Sequence, residues 1–228
     1  MPVTPEEIAT IHPRLYHMAQ HGSWPSIRQR GLLSTSALLD LYGIGGAERE
    51  RIECNVRKTP VRITSSAGEI AWIRDQRPMS EKKLASCLRD GLTPTDWCKM
   101  LNQRVFFWLT EARLETLMRA YSDGPQLVLE VNTTKLLTRH GDKVSLTPLN
   151  TGCTSPMAFP RGLDSFLAPS EYPFTENAKK KGGPGKAIVE LTVLHSVPKI
   201  ENLTTRVSHR EIRDGKPVIL ETLFERDQ

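Results

Sequence analysis

Three segments of the chain carry residues whose types could do chemistry. His17 lies near the amino end, Phe106 to Trp108 form an aromatic run, and Glu190 stands inside an apolar run. A carboxylate within an apolar strand is unusual, because burying it without a partner costs free energy. Such a group can stabilise positive charge or accept a proton, and an imidazole can hydrogen-bond a ligand hydroxyl. The simpler interpretations are a histidine satisfied in the core, aromatic side chains that only pack, and a glutamate that faces solvent.

Other motifs for chemistry are incomplete. The lysine- and glycine-rich stretch before the third segment is not a P-loop, because Lys180 occupies its first glycine position and Ala187 its Ser/Thr position. The cysteines form no CxxC pair and none has a histidine at zinc-ligand spacing, so we expect reduced thiols and no metal site. Cys153 could be a nucleophile with His17 or His195 as its base, although a thiol without a chemical role is the simpler interpretation.

Local patterns predict the elements that must position these residues. Apolar and aromatic content predicts strands over residues 14–19, 104–109, 126–131 and 187–194. Helices are predicted after the capping residues Thr4, Ser23, Thr93 and Thr110, and over residues 80–90. Asp214 and Gly215 predict a hairpin turn near the carboxyl end. Strands mixed with short helices in irregular order indicate an α+β domain.

Three stretches are predicted to lack regular structure. Residues 43–70 are polar with little periodicity, and we expect an excursion or flexible loop that is partly helical. Residues 147–174 are rich in Pro, Ser, Thr and Gly, which is typical of a loop. The run from Lys179 to Lys186 predicts a solvated turn, with contact to nucleic acid as the alternative.

Composition restricts the class of protein. The chain has 228 residues, of which 38% are hydrophobic and 25% charged, so collagen-like, wholly disordered and coiled-coil classes are excluded. No apolar run reaches the roughly 20 residues of a membrane helix, and residues 1–11 have no apolar core typical of a signal peptide. We therefore expect one domain over residues 1–228, in the cytoplasm and without membrane contact. A formal net charge of +5 permits a phosphate-rich partner but does not require one.

In their order along the chain, the three segments resemble the ADP-ribosyltransferase superfamily, and its DarT-like branch most closely. Leu15-Tyr16-His17 is similar to the first-strand motif of these families, and residues 27–32 (Ile-Arg-Gln-Arg-Gly-Leu) are similar to the x-x-Ile-x-x-x-Gly-Leu helix that follows it. Phe106-Phe107-Trp108 resembles the Phe-Tyr-Phe character of the DarT-like second strand. Glu190, with Pro198-Lys199-Ile200 after it, resembles the glutamate strand and its closing turn. The resemblance spans about residues 14–200, and extends more distantly to poly-ADP-ribose polymerases and RNA 2′-phosphotransferases.

This resemblance implies a fold and an activity. The implied fold is α+β, an ADP-ribosyltransferase-like split antiparallel sheet with flanking helices, in which His17 and Glu190 face each other across a cleft. The implied activity is NAD-dependent transfer of ADP-ribose with release of nicotinamide. The DarT-like character and the net positive charge favour a nucleic acid base, in DNA or RNA, as the acceptor. A protein acceptor is the alternative. The resemblance also implies a toxin or phage-defence effector, partnered by an antitoxin or an ADP-ribosyl hydrolase.

The same resemblance implies roles for particular residues. Glu190 and Arg74 are the catalytic candidates, the carboxylate for an oxocarbenium-like ribose and the guanidinium for the pyrophosphate of NAD. Arg49 and Arg51 are weaker positional matches than Arg74. Contacts to NAD, which is a substrate here, are expected from His17, Tyr16, Ser34, Phe107 and Trp108, with His17 on a ribose hydroxyl and an aromatic ring on nicotinamide. Contacts to the acceptor are expected from the loop before Glu190, through Asn150, Thr151, Ser155 and Arg161.

Two other functions stay open on the sequence. A catalytically inactive module of the same fold would bind nucleic acid or a nucleotide without turnover. An RNA 2′-phosphotransferase would need further basic residues around its phosphate, and that set is not clearly repeated here. Bound or cleaved NAD would favour an ADP-ribosyltransferase, and binding of nucleic acid without NAD would favour the inactive module.

Overall fold

A seven-stranded sheet forms the centre of the computed structural model, which describes residues 1–121 and 124–226. The strands are β1 (Arg14–Gln20), β2 (Leu32–Leu33), β3 (Val61–Thr64), β4 (Ile70–Ile73), β5 (Arg104–Trp108), β6 (Gln126–Asn132), β7 (Val144–Thr147), β8 (Glu190–Leu194), β9 (Ser196–Val197), β10 (Thr204–Arg213) and β11 (Lys216–Glu225). The helices are α1 (Pro5–Ile11), α2 (Trp24–Arg30), α3 (Thr35–Leu41), α4 (Gly46–Glu53), α5 (Glu81–Cys87), α6 (Pro94–Asn102), α7 (Glu111–Ala120), α8 (Thr133–His140), α9 (Phe174–Lys181) and α10 (Pro184–Ala187).

The central sheet is antiparallel, in the order β11-β10-β6-β1-β5-β8-β7. Two small sheets, β2 with β9 and β3 with β4, lie outside it. The expected α+β class, a large antiparallel sheet with flanking helices, is confirmed. Strand β1 pairs with β6 along its whole length, whereas its register with β5 is a single pair, Tyr16 with Trp108. The sheet is therefore weakly joined between β1 and β5.

Helices cover both faces of the sheet. On one face, Leu114 and Met118 of α7 pack with Met18 of β1 and Val128 of β6. On the other face, the main core joins Leu15 and Leu129 with Leu136 and Leu137 of α8. Strands β5 and β8 contribute Val105, Phe107, Leu191 and Val193 to the same core. Because side chains alternate along a strand, successive residues of β1 contribute to different cores. None of the described helices has both the length and the apolar character needed to cross a bilayer.

Local signals account for several element ends. Thr4 and Thr93, both predicted as capping residues, each form a complete capping box at the start of α1 and α6. Asp214 and Gly215 both adopt positive φ, 50° and 74°, in the predicted hairpin turn between β10 and β11. Gly31 ends α2 at φ 85°, and a Cβ there would lie 2.5 Å from the carbonyl oxygen of Val197. The glycine of the helix motif is therefore required for backbone packing.

The structure changes several predictions about loops and element boundaries. Residues 43–70 form a partly helical excursion rather than a flexible loop, because α4 and the β3–β4 hairpin pack in a separate core with the α3 region, formed by Leu39, Tyr42, Ile52, Ile63 and Ile73. The run from Lys179 to Lys186 is not a turn, because it contains the end of α9 and most of α10. Strand β8 begins at Glu190 rather than at residue 187. Residues 147–174 do form a loop, apart from a short 3-10 turn at 163–165.

Candidate active site

On one face of the sheet, five neighbouring strands each contribute one side chain to a continuous row. Glu190 is in register with Trp108 on one side and Thr147 on the other, and Trp108 is in register with Tyr16. Tyr16 is in turn in register with Glu130 of β6. Paired residues of antiparallel strands point to the same face. We call these five residues the cross-sheet row; it brings together the three segments that sequence analysis selected.

Glu190 is a buried carboxylate with defined hydrogen bonds. Glu190 is only 3% exposed to solvent. Its Oε2 accepts hydrogen bonds from the Thr151 backbone N–H at 3.1 Å and from the Thr151 hydroxyl at 2.7 Å. Burial raises the pKa of Glu190 to about 7, while the Thr151 bonds and the charges of Arg161 and Arg113 act in the opposite direction. A carboxyl that titrates near neutral pH is suited to general acid–base chemistry. The interpretation of Glu190 as a solvent-facing residue is wrong.

Arg161 holds the backbone of the Thr151 loop in place and is not available to contact a ligand. It is fully buried, and its guanidinium donates to the carbonyl oxygens of Phe159, Thr151 and Cys153 at 3.1, 2.9 and 2.9 Å. The indole N–H of Trp97 also donates to the Thr151 carbonyl, at 3.3 Å. These bonds hold the Thr151 backbone where it meets Glu190. The prediction that Arg161 contacts the acceptor is corrected, because every one of these donors is used within its own loop.

The other predicted residues of this loop have different surroundings. Thr151 is buried and positions Glu190, so direct contact between Thr151 and an acceptor is also corrected. Asn150 and Ser155 are exposed, next to the buried part of the loop, and stay available to a ligand. Cys153 donates its thiol hydrogen to the Ser155 carbonyl at 3.0 Å. Its suggested base His195 follows the opposite end of β8 from Glu190, so the structure does not pair them.

The His17 ring lies beside β5, next to the single residue pair that joins β1 and β5. Its Nδ1 is 2.8 Å from the carbonyl oxygen of Phe106, and its ring centre is 5.7 Å from that of Phe107. Burial lowers the pKa of His17 to about 4, and the charge of Arg74 lowers it further, so the ring is neutral at pH 7. A carbonyl oxygen can only accept, which assigns the proton to Nδ1 and leaves Nε2 as an acceptor. Nε2 is therefore suited to a ligand hydroxyl.

The expectation that His17 and Glu190 face each other is corrected in one respect. Tyr16 shares a face with Glu190, so strand alternation directs the Cβ of the next residue, His17, to the opposite face. Arg74, whose charge lowers the pKa of His17, stacks on Tyr121, which packs in the same apolar cluster as Tyr16. His17 and Glu190 therefore do not face each other across a cleft; the His17 ring instead contacts β5 through the Phe106 carbonyl oxygen.

Arg74 is held over the face of the sheet that carries the row. It directly follows β4, its carbonyl oxygen accepts from the Arg57 side chain at 3.1 Å, and its guanidinium lies 4.4 Å from the centre of the Tyr121 ring. The Tyr121 hydroxyl donates to the buried carboxylate of Asp75 at 2.9 Å. The weaker match Arg49 instead pairs with Glu53 and Asp40 beside the β3–β4 region.

Two predicted NAD contacts are structural residues. Phe107 is 1% exposed in the main core, so its ring cannot stack on a ligand. Ser34 is buried, and its hydroxyl accepts from the Ala37 backbone N–H as the N-cap of α3. Both predictions are corrected for the same reason, which is that packing satisfies these side chains internally. Tyr16 and Trp108 are only partly buried and stay available in the cross-sheet row.

Comparison with known proteins gives a family. The model of a family of unknown function, DUF7002, matches residues 13–204. The chain belongs to the DUF7002 family. No curated protein matches it. The matched part of this DUF7002 chain includes every residue of the cross-sheet row and the Thr151 loop.

Sequence reasoning missed two basic residues near Glu190 in this DUF7002 chain. Arg113, in the first turn of α7, acts electrostatically on Glu190, and Lys181 ends α9 beside the loop after β7. Neither lies in a recognisable motif, although Arg113 follows the aromatic strand by only five residues. Within residues 1–121 and 124–226, no three His, Cys, Asp or Glu side chains are grouped so that they could hold a metal ion.

Proposed function

We propose that this protein is an NAD-dependent ADP-ribosyltransferase with an ADP-ribosyltransferase-like split sheet. The observation that carries the proposal is the register of Tyr16, Trp108 and Glu190 on the neighbouring strands β1, β5 and β8. The three segments that resemble the superfamily are far apart in the sequence. No local sequence pattern requires them to lie side by side on one face of the sheet. The weak junction between β1 and β5 supports the split of the sheet.

The reaction transfers ADP-ribose from NAD to an acceptor. The bond between nicotinamide and ribose breaks, its electron pair leaves with nicotinamide, and the ribose carbon bonds to the acceptor, which loses a proton. Glu190 stabilises the positive charge on the ribose in its ionised form and can take the acceptor's proton. The ring of Trp108 packs on nicotinamide, Nε2 of His17 accepts from a ribose hydroxyl, and Arg74 binds the pyrophosphate.

A nucleic acid base is the acceptor that we favour. The net charge of +5 and the exposed lysines of α9 suit a polyanion, and exposed Asn150 and Ser155 can hydrogen-bond a base next to Glu190. A toxin or phage-defence role, with an antitoxin or a hydrolase as partner, follows from this acceptor and from the resemblance. A protein acceptor is the alternative.

The test uses NAD labelled in its adenylate phosphate, incubated with the full chain and with separate pools of DNA, RNA and protein. We expect label in a nucleic acid pool and release of nicotinamide. Glu190→Gln keeps the shape of the side chain and should lower the transfer rate about 10²- to 10³-fold with NAD affinity little changed. Glu171→Gln removes an exposed carboxylate and is the matched control. Transfer by folded Glu190→Gln at the parental rate refutes the proposed role.

One observation favours an inactive binding module instead. Strand alternation directs the Cβ atoms of His17 and Glu190 to opposite faces of the sheet, which does not favour contact of one ligand with both residues from the side of the cross-sheet row. A binding module predicts that the wild-type chain binds NAD or nucleic acid and that no nicotinamide is released. Release of nicotinamide separates the two functions, and calorimetry of NAD binding, run beside the transfer assay, shows that a chain without turnover still binds its ligand.

A further inference from the structure

Two basic side chains, Arg113 and Lys181, flank the Glu190 end of the cross-sheet row. Lys181 is half-buried at the end of α9, and its Nζ donates to the carbonyl oxygen of Pro148. Pro148 follows Thr147, which is in register with Glu190. Arg113 is half-buried in the first turn of α7, just beyond the end of β5, where Trp108 pairs with Glu190.

The two cations lie at the same edge of the sheet, because β5 and β7 both end beside Glu190. Burial lowers the pKa of Lys181 to about 8, and the charge of Arg113 lowers it further. Burial also lowers the pKa of Arg113, and Glu190 is the carboxylate that acts on it in the opposite direction. Within the described residues neither cation forms a salt bridge, and the Arg113 guanidinium forms no hydrogen bond. Holding such a pair partly out of water costs stability, and for Arg113 only the charge of Glu190, without a hydrogen bond or salt bridge, is described as acting against that cost.

We propose that Arg113 and Lys181 bind a phosphate group beside Glu190. A phosphodiester, and each phosphate of the NAD pyrophosphate, carries one negative charge shared by two terminal oxygens, which can accept from a guanidinium and an ammonium together. Within the described residues, neither cation has a carboxylate in salt-bridge contact that would compete for these bonds. The phosphate has two sources within the proposed function, a phosphodiester of a nucleic acid acceptor and the pyrophosphate of NAD. Exposed Lys179, Lys180 and Lys186 add positive charge on α9 and α10, which suits a chain of phosphates.

The inference rests on the proposed function for its ligands, and binding assays without turnover test it separately. The variants are Arg113→Gln and Lys181→Gln; the control, Arg119→Gln, removes an exposed arginine from the other end of α7, where it pairs with Glu115. A fluorescent single-stranded oligonucleotide is titrated by anisotropy at several salt concentrations. NAD is titrated by calorimetry in parallel.

For a phosphodiester, each variant should bind the oligonucleotide about tenfold more weakly, the loss typical of a charge-assisted hydrogen bond. The slope of log affinity against log salt should fall by about 0.7 per lost phosphate contact. For the pyrophosphate, NAD affinity falls instead and oligonucleotide affinity does not. If both variants bind both ligands like Arg119→Gln, the inference is overturned.

The two hypotheses fail in different ways. If the chain binds phosphate through these residues but releases no nicotinamide, the proposed activity is refuted and the phosphate site is retained. If both variants transfer ADP-ribose at the wild-type rate, the phosphate site is refuted and the proposed activity is retained. Lys181→Gln also loses its bond to Pro148, so a thermal melt accompanies each titration. If that variant does not fold, Arg113→Gln alone decides, because the Arg113 guanidinium has no described hydrogen bond to lose.

Discussion

Replacing Glu190 by Gln should stabilise the protein at pH 8 and not at pH 4. The folded-state pKa of Glu190 is about 7, against 4.5 for an ordinary glutamate, because burial penalises the charged form. A raised folded-state pKa means that the folded protein holds a proton more tightly, so this contribution to stability is complete below pH 4.5 and is lost as pH rises through 7. The difference of about 2.5 units corresponds to about 3 kcal/mol in the free energy of unfolding.

Glutamine has the shape of the protonated side chain and keeps an oxygen for the two Thr151 donors. Glu190→Gln should therefore exceed the wild type by up to about 3 kcal/mol at pH 8, which raises the melting temperature by about 6–12 °C for a chain of this size. Thermal and urea melts at several pH values measure the difference. Exposed Glu171→Gln makes the same change in net charge and should stay within about 0.5 kcal/mol of the wild type. Equal stability of Glu190→Gln and wild type from pH 4 to 8 refutes the burial argument.

Three further predictions address other parts of the structure. His17→Ala should weaken NAD binding by about 0.5–1.5 kcal/mol through the lost bond to Nε2, as calorimetry would measure, and unchanged affinity would remove His17 from the site. Thr151→Val deletes a hydroxyl that favours the Glu190 carboxylate, so the pH at which transfer activity rises should move upward, and a fixed pH profile would contradict the role of Thr151. Gly31→Ala should cost about 1–3 kcal/mol in urea melts, because the new Cβ meets the Val197 carbonyl at a positive φ, and a neutral effect would show that the backbone can shift.

Local sequence signals determined much of the secondary structure. The capping boxes at Thr4 and Thr93 set the starts of α1 and α6, and the Asp214-Gly215 turn set the β10–β11 hairpin, because each depends on residues adjacent in the chain. The strands that carry Tyr16, Trp108 and Glu190 were also predictable from apolar and aromatic content. The polar composition of residues 43–70 was misleading, since α4 and the β3–β4 hairpin are stabilised by packing on α3 rather than by their own periodicity.

Only the tertiary structure decided which candidate residues share a site. Phe107 and Trp108 are neighbours in sequence, yet strand alternation buries the first in the main core and places the second in the cross-sheet row. Arg161 and Ser155 lie in one loop, yet one is fully buried on backbone carbonyls and the other is exposed. Register, burial and the partners of a charge depend on contacts between residues far apart in the chain. For that physical reason, the residue types of the site were predictable from the sequence, and their roles were not.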